Sequence, residues 1–202
     1  MFWTDEMINN RNRVIAIEEA IKELPEKVPG RYINFGCGGK PYKGFMNVDK
    51  YAQGEDVVNF DMYKVPSIEN DSTIGIYSSH SLEHLPIRHA KYALREWYRI
   101  LKKGGKLYLA IPDLEMIMHI LTTYHLDDYT FDWFVYTLFG YQVNPKYREG
   151  DLDLPVEYGQ FHTCGFTKKT ITRELSGIGY KVNDVFNFDG WNTPSIWIEA
   201  EK

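Results

Sequence analysis

A glycine turn followed by a carboxylate is the part of the sequence whose residue types most directly suggest chemistry. Residues 31–40 read Arg-Tyr-Ile-Asn-Phe-Gly-Cys-Gly-Gly-Lys, an apolar strand that ends in glycines, and residues 45–49 form a second strand that ends at Asp49. Glycines let backbone approach a ligand closely, and an acid after the next strand can accept hydrogen bonds from a ribose. The pattern predicts a nucleoside-cofactor site in an α/β sheet.

The connection between these two strands indicates which cofactor fits. A dinucleotide site needs a helix that starts at the glycines, because the helix N-terminus holds the pyrophosphate. Residues 36–44 contain Pro41 and several glycines, and they are too few for a crossover helix. S-adenosylmethionine has no phosphate; it needs backbone contact to its amino-acid end, an acid for its ribose and an apolar slot for adenine. The sequence therefore favours an adenosyl cofactor over NAD.

Four side chains are candidates for acid–base chemistry: His80, Glu83, His84 and His162. A sulfonium cofactor such as S-adenosylmethionine would transfer its methyl group by in-line displacement, in which orientation can supply up to ~7–11 kcal/mol. A general base adds about 10²–10⁴-fold when the acceptor is a hydroxyl. His80 and His84 with Glu83 between them resemble a zinc-binding helix, but that motif needs both histidines in one helix and a third ligand. His80 ends a strand and Pro86 delays the next helix, so we expect no metal site.

The elements that position these residues alternate between strands and helices. The strands are nearly continuous apolar runs, which indicates a buried parallel sheet with helices on both faces, and a turn at residues 189–190 makes the last two strands an antiparallel pair. The predicted strands are residues 31–35, 45–49, 56–61, 72–80, 106–111, 181–186 and 195–200. The predicted helices are residues 4–24, 86–101, 113–126 and 168–176. We expect Thr4 or Asp5 to cap the first helix and Thr167 to cap the last, Pro25, Pro29 and Gly30 to stop the first, and Gly104 and Gly105 to stop the second.

Residues 113–166 differ from the rest, because twelve of the chain's aromatic residues lie between Tyr124 and Phe166. Long insertions in compact domains are often lids or binding loops. The aromatic residues could equally fill a second small core or line an acceptor pocket. Our hypothesis is that residues 158–166 fold over the cofactor with His162 facing the acceptor; the alternative is a histidine hydrogen-bonded within a loop.

Bulk properties limit the class of protein. With 202 residues and 23.7 kDa the chain fits one domain, divided into an N-terminal helix (1–30), a cofactor-binding core (31–112), the insertion (113–166) and a closing helix and strand pair (167–202). A net charge of -5 argues against a nucleic-acid partner. Two cysteines form no disulfide framework, and no signal pattern or membrane span is visible, so we expect a cytoplasmic protein. The oligomeric state is not predicted.

Several motifs in order resemble one family. They are residues 34–38 (Asn-Phe-Gly-Cys-Gly), 47–49 (Asn-Val-Asp), 60–62 (Phe-Asp-Met), 81–85 (Ser-Leu-Glu-His-Leu) and 95–107. Together they resemble class I S-adenosylmethionine-dependent methyltransferases, in particular the type 11-like branch with a short first loop that is often linked to polysaccharide biosynthesis. The resemblance covers roughly residues 31–112. It implies a Rossmann-like, doubly wound and mostly parallel seven-stranded sheet with an antiparallel C-terminal strand.

The resemblance also assigns roles to residues. It implies that the backbones of the glycine turn line the methionine end of the cofactor and that Asp49 accepts from the ribose. Asp61 would accept from the adenine amino group, with Met62 against the ring, although Asp61 is nearly as well explained as a capping residue. Ser79 and His80 would border the sulfonium. The predicted cofactor residues are Phe35, Gly36, Cys37, Gly38, Asp49, Asp61, Met62, Ser79 and His80, and the predicted catalytic residues are His162, His80 and Glu83.

The resulting expectation is O-methylation of a small molecule or a glycan intermediate. An adenosyl-cofactor-binding protein without methyl transfer, serving as a regulatory or partner subunit, is the main alternative. Asn34 stands where the family usually has an acid, which fits that alternative. A nicotinamide-dependent oxidoreductase is disfavoured by the missing helix. The acceptor itself cannot be identified from the sequence, because fold-level analogy does not fix a substrate.

Overall fold

A computed structural model describes residues 3–28, 30–65, 67–140, 161–190 and 192–202. Their elements follow the predicted alternation of strands and helices. The strands are β1 (Arg31–Phe35), β2 (Met46–Val48), β3 (Val57–Val58), β4 (Thr73–Ser79), β5 (Leu101–Pro112), β6 (Lys181–Asp189) and β7 (Pro194–Glu201). The helices are α1 (Asp5–Lys22), α2 (Leu24–Lys27), α3 (Ile87–Ile100), α4 (Leu114–Thr123), α5 (Asp128–Phe139) and α6 (Lys168–Ile178), with a single 3₁₀ turn at Leu82–His84.

All seven strands form one sheet in the order β3-β2-β1-β4-β5-β7-β6. The first five strands pair in parallel, and β7 runs antiparallel to both β5 and β6. The prediction of a doubly wound, mostly parallel sheet with an antiparallel C-terminal strand is confirmed. The strand order reverses between β1 and β4, and in open α/β sheets ligands bind in the crevice beyond the strand ends at such a point.

The link from β1 to β2 contains no helix; all of residues 36–45 are described, and they form turns. Two successive N–H groups, those of Gly36 and Cys37, donate to the carbonyl of Val48 at 2.7 and 3.2 Å, and they fasten this link to the end of β2. The predicted absence of a pyrophosphate-binding helix is thus confirmed.

Helix α1 begins as predicted, with the Thr4 hydroxyl accepting a hydrogen bond from the Met7 N–H at 3.2 Å. It ends earlier than predicted, at Lys22, and Pro25 lies in the first turn of α2. Proline is tolerated there because the first N–H groups of a helix need no intrahelical partner. The prediction that Pro25 stops the helical region was wrong; Pro29, also predicted to stop it, lies outside the described residues.

Helix α3 packs on the sheet through its apolar face. Trp97 is fully buried and stacks on Phe35 of β1 with ring centroids 5.0 Å apart. Gly104 and Gly105 were wrongly predicted to stop this helix, because it ends at Ile100 and both glycines lie in β5. A Cβ on Gly105 would come within 2.8 Å of the Lys102 carbonyl oxygen, so close backbone packing requires that glycine. The other residues of the buried face are Ala90, Ala93, Leu94, Ile100 and, at the helix C-cap, Leu101.

The insertion begins with α4 and α5, which pack on each other through Ile117, Ile120 and Phe134. The second-core interpretation therefore holds for Phe134, while Tyr129 and Phe131 on the same helix are exposed. Residues 141–160, and with them the start of the segment expected to cover the cofactor, lie outside the described residues. Among the helices described, none has both the length and the apolar character needed to cross a membrane.

Candidate functional site

A cleft of about 650 Å³ opens at the carboxyl ends of β1 and β4, where the strand order reverses. We call it the first cleft. It contains most of the residues that the sequence assigned to a cofactor, and four further aromatic or histidine rings that were not assigned. The predicted residues among its walls are Gly36, Gly38, Asp49, Asp61, Met62 and His80, and the added rings are Tyr51, Tyr63, His84 and His89.

The two glycines at the start of this cleft differ in what surrounds them. Both have left-handed backbone, with φ of +69° at Gly36 and +52° at Gly38. A Cβ on Gly36 would lie 2.2 Å from the Cβ of Ser81, whereas a Cβ on Gly38 would meet nothing within 4 Å. The lack of a side chain at Gly36 therefore makes room for Ser81, whereas the lack of one at Gly38 leaves open space in the cleft.

Asp49 holds the glycine turn and the loop after β2 together. Its carboxylate accepts from the N–H groups of Gly38 at 2.9 Å and of Tyr51 and Ala52 at 2.8 Å each. This is the ordinary turn role of an aspartate. A carboxylate has about four acceptor sites, so one remains for a further donor in the cleft.

Asp61 and Met62 form the opposite wall of the first cleft. The Asp61 carboxylate pairs with Lys50 Nζ at 2.9 Å, and the resulting hydrogen bond raises the pKa of Lys50. The Met62 carbonyl accepts from Trp97 Nε1 at 2.9 Å, which fixes this segment against α3. The apolar Met62 side chain and an acid thus lie next to each other, as an adenine site requires.

Three predicted cofactor residues do not line the first cleft. Phe35 is fully buried under Trp97, because successive side chains of β1 point to opposite faces of the sheet. Cys37 and Ser79 instead line a second cavity of about 870 Å³, on the other side of the glycine turn. Burial, together with the charge of Asp49, raises the pKa of the Cys37 thiol to about 11. Gly36 and His80 line both cavities, and so connect them.

Asn34 stabilises the wall of this second cavity. It is 2% exposed, and its Nδ2 donates to Asn47 Oδ1 at 3.1 Å. The Asn47 amide in turn bonds to both the N–H and the carbonyl of Tyr42, at 2.7 and 3.0 Å. The amide at position 34, where the family usually has an acid, thus orders the link between β1 and β2.

His80 lies at the end of β4 with an uncommon backbone conformation. Its φ is +48°, a left-handed value that side-chain-bearing residues rarely adopt, and its N–H donates to Ala110 of β5 at 2.9 Å. The ring lies between two polar groups: Nδ1 is 3.6 Å from Glu83 Oε1, and Nε2 is 3.4 Å from Ser195 Oγ. The ring is thus held at the junction of the cavities.

Glu83 is a buried carboxylate surrounded by histidines. It is 2% exposed, and neither carboxylate oxygen has a hydrogen-bond partner among the described residues. Burial raises the pKa of this carboxyl, but the rings of His80, His84 and His162 outweigh burial and hold it below its ordinary value. Glu83 is therefore ionised at neutral pH, within a cluster of imidazoles.

His162 joins this cluster from the C-terminal part of the insertion. Its Nδ1 lies 2.7 Å from the Thr137 carbonyl oxygen, and its Nε2 lies 4.0 Å from Glu83 Oε1. Burial lowers the pKa of His162 more than the attraction of Glu83 raises it, so the ring is neutral at pH 7. The structure thus places His162 beside both other predicted catalytic residues.

The segment that carries His162 is fastened to the 3₁₀ turn. The N–H groups of Thr163 and Cys164 donate to the Glu83 carbonyl at 2.8 and 3.2 Å. His84 Nδ1 lies 3.2 Å from the carbonyl oxygen of Phe161. Burial, with a contribution from Glu83, raises the pKa of Cys164 to about 12. Neither this docking nor the part of Cys164 in it was visible in the sequence.

A third cavity of about 340 Å³ lies between this cluster and α5. Glu83 and His162 line it together with His80 and His84, and the two latter residues also line the first cleft. Sequence reasoning missed the opposite walls, because they depend on how α5 and the β6–β7 turn approach the cluster. Those walls are Trp133, Tyr136 and Thr137 of α5, and Gly190 and Thr193 of the turn.

Part of the chain is similar to a known family of domains. Residues 35–109 match a family model described as a methyltransferase domain, and these residues include the last residue of β1, the glycine turn, Asp49, Asp61 and the 3₁₀ turn. This part of the chain is therefore similar to a methyltransferase domain. No curated protein matches the chain.

Solved structures share the fold of this chain at low identity. A S-adenosylmethionine-dependent methyltransferase of Methanosarcina mazei is 15% identical with a TM-score of 0.58, over 86% of this chain and 92% of that one. The 1,6-didemethyltoxoflavin-N1-methyltransferase of Burkholderia thailandensis, solved with S-adenosylhomocysteine, is 13% identical with a TM-score of 0.57, over 91% and 75%. The [4+2]-cyclase SpnF is 12% identical with a TM-score of 0.53, over 86% and 75%.

The first cleft fits S-adenosylmethionine in its chemistry. The open space at Gly38 admits a ligand, Asp49 retains acceptor capacity, and Met62 offers an apolar surface. The cation of the cleft, Lys50, is paired with Asp61, so no cluster of positive charge for a pyrophosphate is present among the described residues of the cleft. A phosphate-free nucleoside suits these walls better than a dinucleotide.

Proposed function

We propose that this chain is an S-adenosylmethionine-dependent methyltransferase that acts on an oxygen of a small molecule or a glycan intermediate. The observation that carries the proposal is that His80 and His84 line both the first cleft and the third cavity. A methyl donor in the cleft and an acceptor in the cavity would therefore meet at these two rings. S-adenosylmethionine supplies the activated methyl group, so the protein's task is to orient the acceptor and accept its proton.

On the cofactor side, we propose that Asp49 accepts a hydrogen bond from the ribose hydroxyls. It would use the acceptor site that its three bonds to backbone N–H groups leave free. Asp61 would accept from the adenine amino group, with Met62 against the ring. Gly36 and Gly38 would border the amino-acid end, which can extend toward the second cavity and so reach Cys37 and Ser79. Phe35 would act indirectly, by holding β1 on Trp97.

On the acceptor side, we propose that Glu83 and His162 take up the acceptor's proton and that His80 positions the acceptor hydroxyl. A neutral His162 ring and an ionised Glu83 are both in the form that accepts a proton. A base of this kind is worth about 10²–10⁴-fold for a hydroxyl acceptor. A carbon or sulfur acceptor would form fewer hydrogen bonds with the polar cluster of Glu83 and the histidines than a hydroxyl would. The polar cluster therefore supports oxygen as the methylated atom.

The acceptor class follows from the third cavity and the charge of the chain. Trp133 and Tyr136 offer aromatic surface opposite the polar cluster, which suits a small ring that carries hydroxyls. The net charge of -5 supports an uncharged acceptor rather than a nucleic acid. Cytoplasmic location and a link to polysaccharide biosynthesis remain parts of the proposal; the free thiols of Cys37 and Cys164 are consistent with a reducing compartment.

A second candidate function is cofactor binding without methyl transfer. The engagement of Asp49 by three backbone N–H groups favours it, because a turn role alone would account for this residue. The fold is also shared with SpnF, which is named for a cyclisation. In this alternative the protein would bind the cofactor as a regulatory or partner subunit.

Two measurements test these proposals. Calorimetric titration with S-adenosylhomocysteine and with NAD should show binding of the former only. A methyl-donor assay over a panel of sugars and small hydroxylated molecules should then show product. Binding without product for any acceptor would favour the second candidate function, and binding of NAD alone would contradict both.

The His162→Ala variant tests the acceptor side. Turnover should fall by about 10²–10⁴-fold, the usual worth of a general base, while affinity for S-adenosylhomocysteine stays within a few-fold, because His162 lies in the third cavity and not in the first cleft. His125→Ala, a substitution of an exposed histidine in the same insertion, is the matched control. Loss of cofactor affinity in proportion to turnover would show that the role of His162 is structural.

A further inference from the structure

We propose that Glu83, His84 and His162 bind a divalent transition-metal ion, with Zn²⁺ as the best match. One ligand atom of each residue lies within 4.8 Å of the other two. Two imidazole nitrogens and one carboxylate oxygen are the protein ligands of tetrahedral zinc sites that keep a fourth position open. The sequence-based expectation of no metal site concerned His80 and His84, which do not share a helix, and a third ligand was also lacking. The proposed site uses Glu83 and His84 instead, and its third ligand, His162, comes from a distant part of the chain.

The state of the Glu83 carboxylate points to a missing cation. The residue is 2% exposed, and both oxygens lack a hydrogen-bond donor within the described residues. The nearest nitrogens, His80 Nδ1 at 3.6 Å and His162 Nε2 at 4.0 Å, lie beyond hydrogen-bond distance. A buried carboxylate without hydrogen bonds is costly unless it is paired or coordinates a metal. An ion bound at Oε1 or Oε2 would provide that partner.

The two histidines are oriented as metal ligands usually are. His162 Nδ1 lies 2.7 Å from the Thr137 carbonyl oxygen, and His84 Nδ1 lies 3.2 Å from that of Phe161. A carbonyl oxygen can only accept, so Nδ1 carries the proton in both rings. Each Nε2 therefore keeps its lone pair. Metal-binding histidines almost always donate their other ring N–H to a carbonyl or carboxylate, which fixes ring and tautomer.

The distances allow the ion to bind with small side-chain movements. Zinc lies at about 2.0–2.2 Å from nitrogen and oxygen ligands, which places neighbouring ligand atoms about 3.3–3.6 Å apart in a tetrahedron. The His162 Nε2 to Glu83 Oε1 distance of 4.0 Å exceeds this by a few tenths of an ångström. The backbone is already fixed, because Thr163 and Cys164 donate to the Glu83 carbonyl. Side-chain rotation alone can complete the site.

The open position of the ion would face the third cavity, since all three ligands line it. In that place the ion would hold an oxygen of the acceptor beside His80. With the ion bound, Glu83 and His162 would act as ligands, and the acceptor's proton would pass to His80 or to water; the role of Glu83 and His162 as proton acceptors belongs to the metal-free protein. This consequence rests on the proposed methyl transfer to oxygen. The binding of the ion itself does not, because it depends only on Glu83, His84 and His162.

The test is a calorimetric titration of EDTA-treated, dialysed protein with ZnCl₂, without cofactor or acceptor. We expect one equivalent to bind, and Glu83→Gln and His162→Ala each to weaken the affinity at least tenfold. His125→Ala should bind as wild type does. Titration with CoCl₂ should give the visible absorption of a tetrahedral cobalt site in wild type and lose it in both ligand variants.

Two results would overturn the metal site. One is the absence of stoichiometric zinc binding by the wild type. The other is equal zinc affinity in Glu83→Gln, which would assign the binding to other histidines. Circular dichroism and titration with S-adenosylhomocysteine show that each variant is folded, so that lost zinc affinity is assigned to the site. Zinc binding without methyl transfer would support the metal site and contradict the proposed function. Methyl transfer without zinc binding would support the proposed function and contradict the metal site.

Discussion

Replacing Gly36 by alanine distinguishes two reasons for a glycine in this turn, space for a ligand and space for the protein's own chain. A Cβ at position 36 would lie 2.2 Å from Ser81 Cβ and 2.6 Å from its Oγ, far inside contact distance. Gly38 shares the left-handed backbone, but a Cβ there would meet nothing within 4 Å. Gly38→Ala is therefore a matched control that has the backbone strain without the overlap.

The expected magnitudes follow from these contacts. A left-handed conformation costs an alanine about 1–2 kcal/mol, and this cost applies to both variants. Overpacking against Ser81 adds about 1–3 kcal/mol for Gly36→Ala alone. In a protein of this size 1 kcal/mol corresponds to roughly 2–4 °C in Tm. The Gly36→Ala variant should therefore melt roughly 2–12 °C below Gly38→Ala.

Urea unfolding followed by tryptophan fluorescence measures the two free energies, and Ser81→Gly completes a double-mutant cycle. Ser81→Gly alone loses the contacts of its hydroxyl with Ser78 Oγ at 2.6 Å and with the Phe35 carbonyl at 3.3 Å, so the single variant has to be included. Combined with Gly36→Ala it should show a favourable coupling of about 1–3 kcal/mol. Equal stability of Gly36→Ala and Gly38→Ala, or no coupling with Ser81→Gly, refutes the packing explanation.

Two further predictions concern buried polar groups near the turn. Asn34→Asp should lower the free energy of unfolding by about 1–3 kcal/mol in urea, because a carboxylate cannot donate to Asn47 Oδ1 as the amide does; unchanged stability would contradict this. The raised pKa values of Cys37 (about 11) and Cys164 (about 12) leave about 10⁻³ and 10⁻⁴ of each thiol ionised at pH 8. Mass spectrometry should show that iodoacetamide labels both thiols at least 100-fold more slowly in the folded protein than in urea. The labelling rate of the folded protein should rise as the pH approaches the two pKa values. Equal rates in the folded and the unfolded protein would contradict the raised pKa values.

The sequence predicts the fold well where local pattern and tertiary packing agree. The buried residues of α3 recur at helical spacing in the sequence, so a helix over residues 86–101 could be predicted. The errors fall where a residue's neighbours come from elsewhere in the chain. Gly105 is explained by the carbonyls of Lys102 and Ile74, which approach it within 2.8 and 3.2 Å of a Cβ position, and not by the end of α3. The close approach of these carbonyls cannot be predicted from the residues next to Gly105 in the sequence.

The same distinction holds for the candidate site. Asp49 and Asp61 follow strands, so their place in the first cleft could be predicted from the strand-end rule. The assignment of Phe35 to the cofactor site was an avoidable error. Successive side chains along β1 point to opposite faces of the sheet. The neighbouring Asn34 faces the second cavity, so Phe35 points to the other face. The hypothesis that His162 faces the acceptor came from an unusual composition, and the approach of His162 to Glu83 was not predicted. It depends on hydrogen bonds between residues 161–164 and the 3₁₀ turn, which a single sequence does not contain.

We propose that the third cavity restricts the acceptor more than the similarity to methyltransferases does. Its volume of about 340 Å³ lies at the low end for ligand pockets, which leaves room for one ring rather than for several linked rings. The polar cluster occupies one side and Trp133 the other, so a ring would present a hydroxyl to Glu83 and an apolar face to the indole. We therefore expect methylation of monosaccharides or of a terminal sugar, and not of internal positions of a polymer. Mapping the methylated position on an oligosaccharide by mass spectrometry checks this, and an internal methyl group would show that the acceptor binds elsewhere.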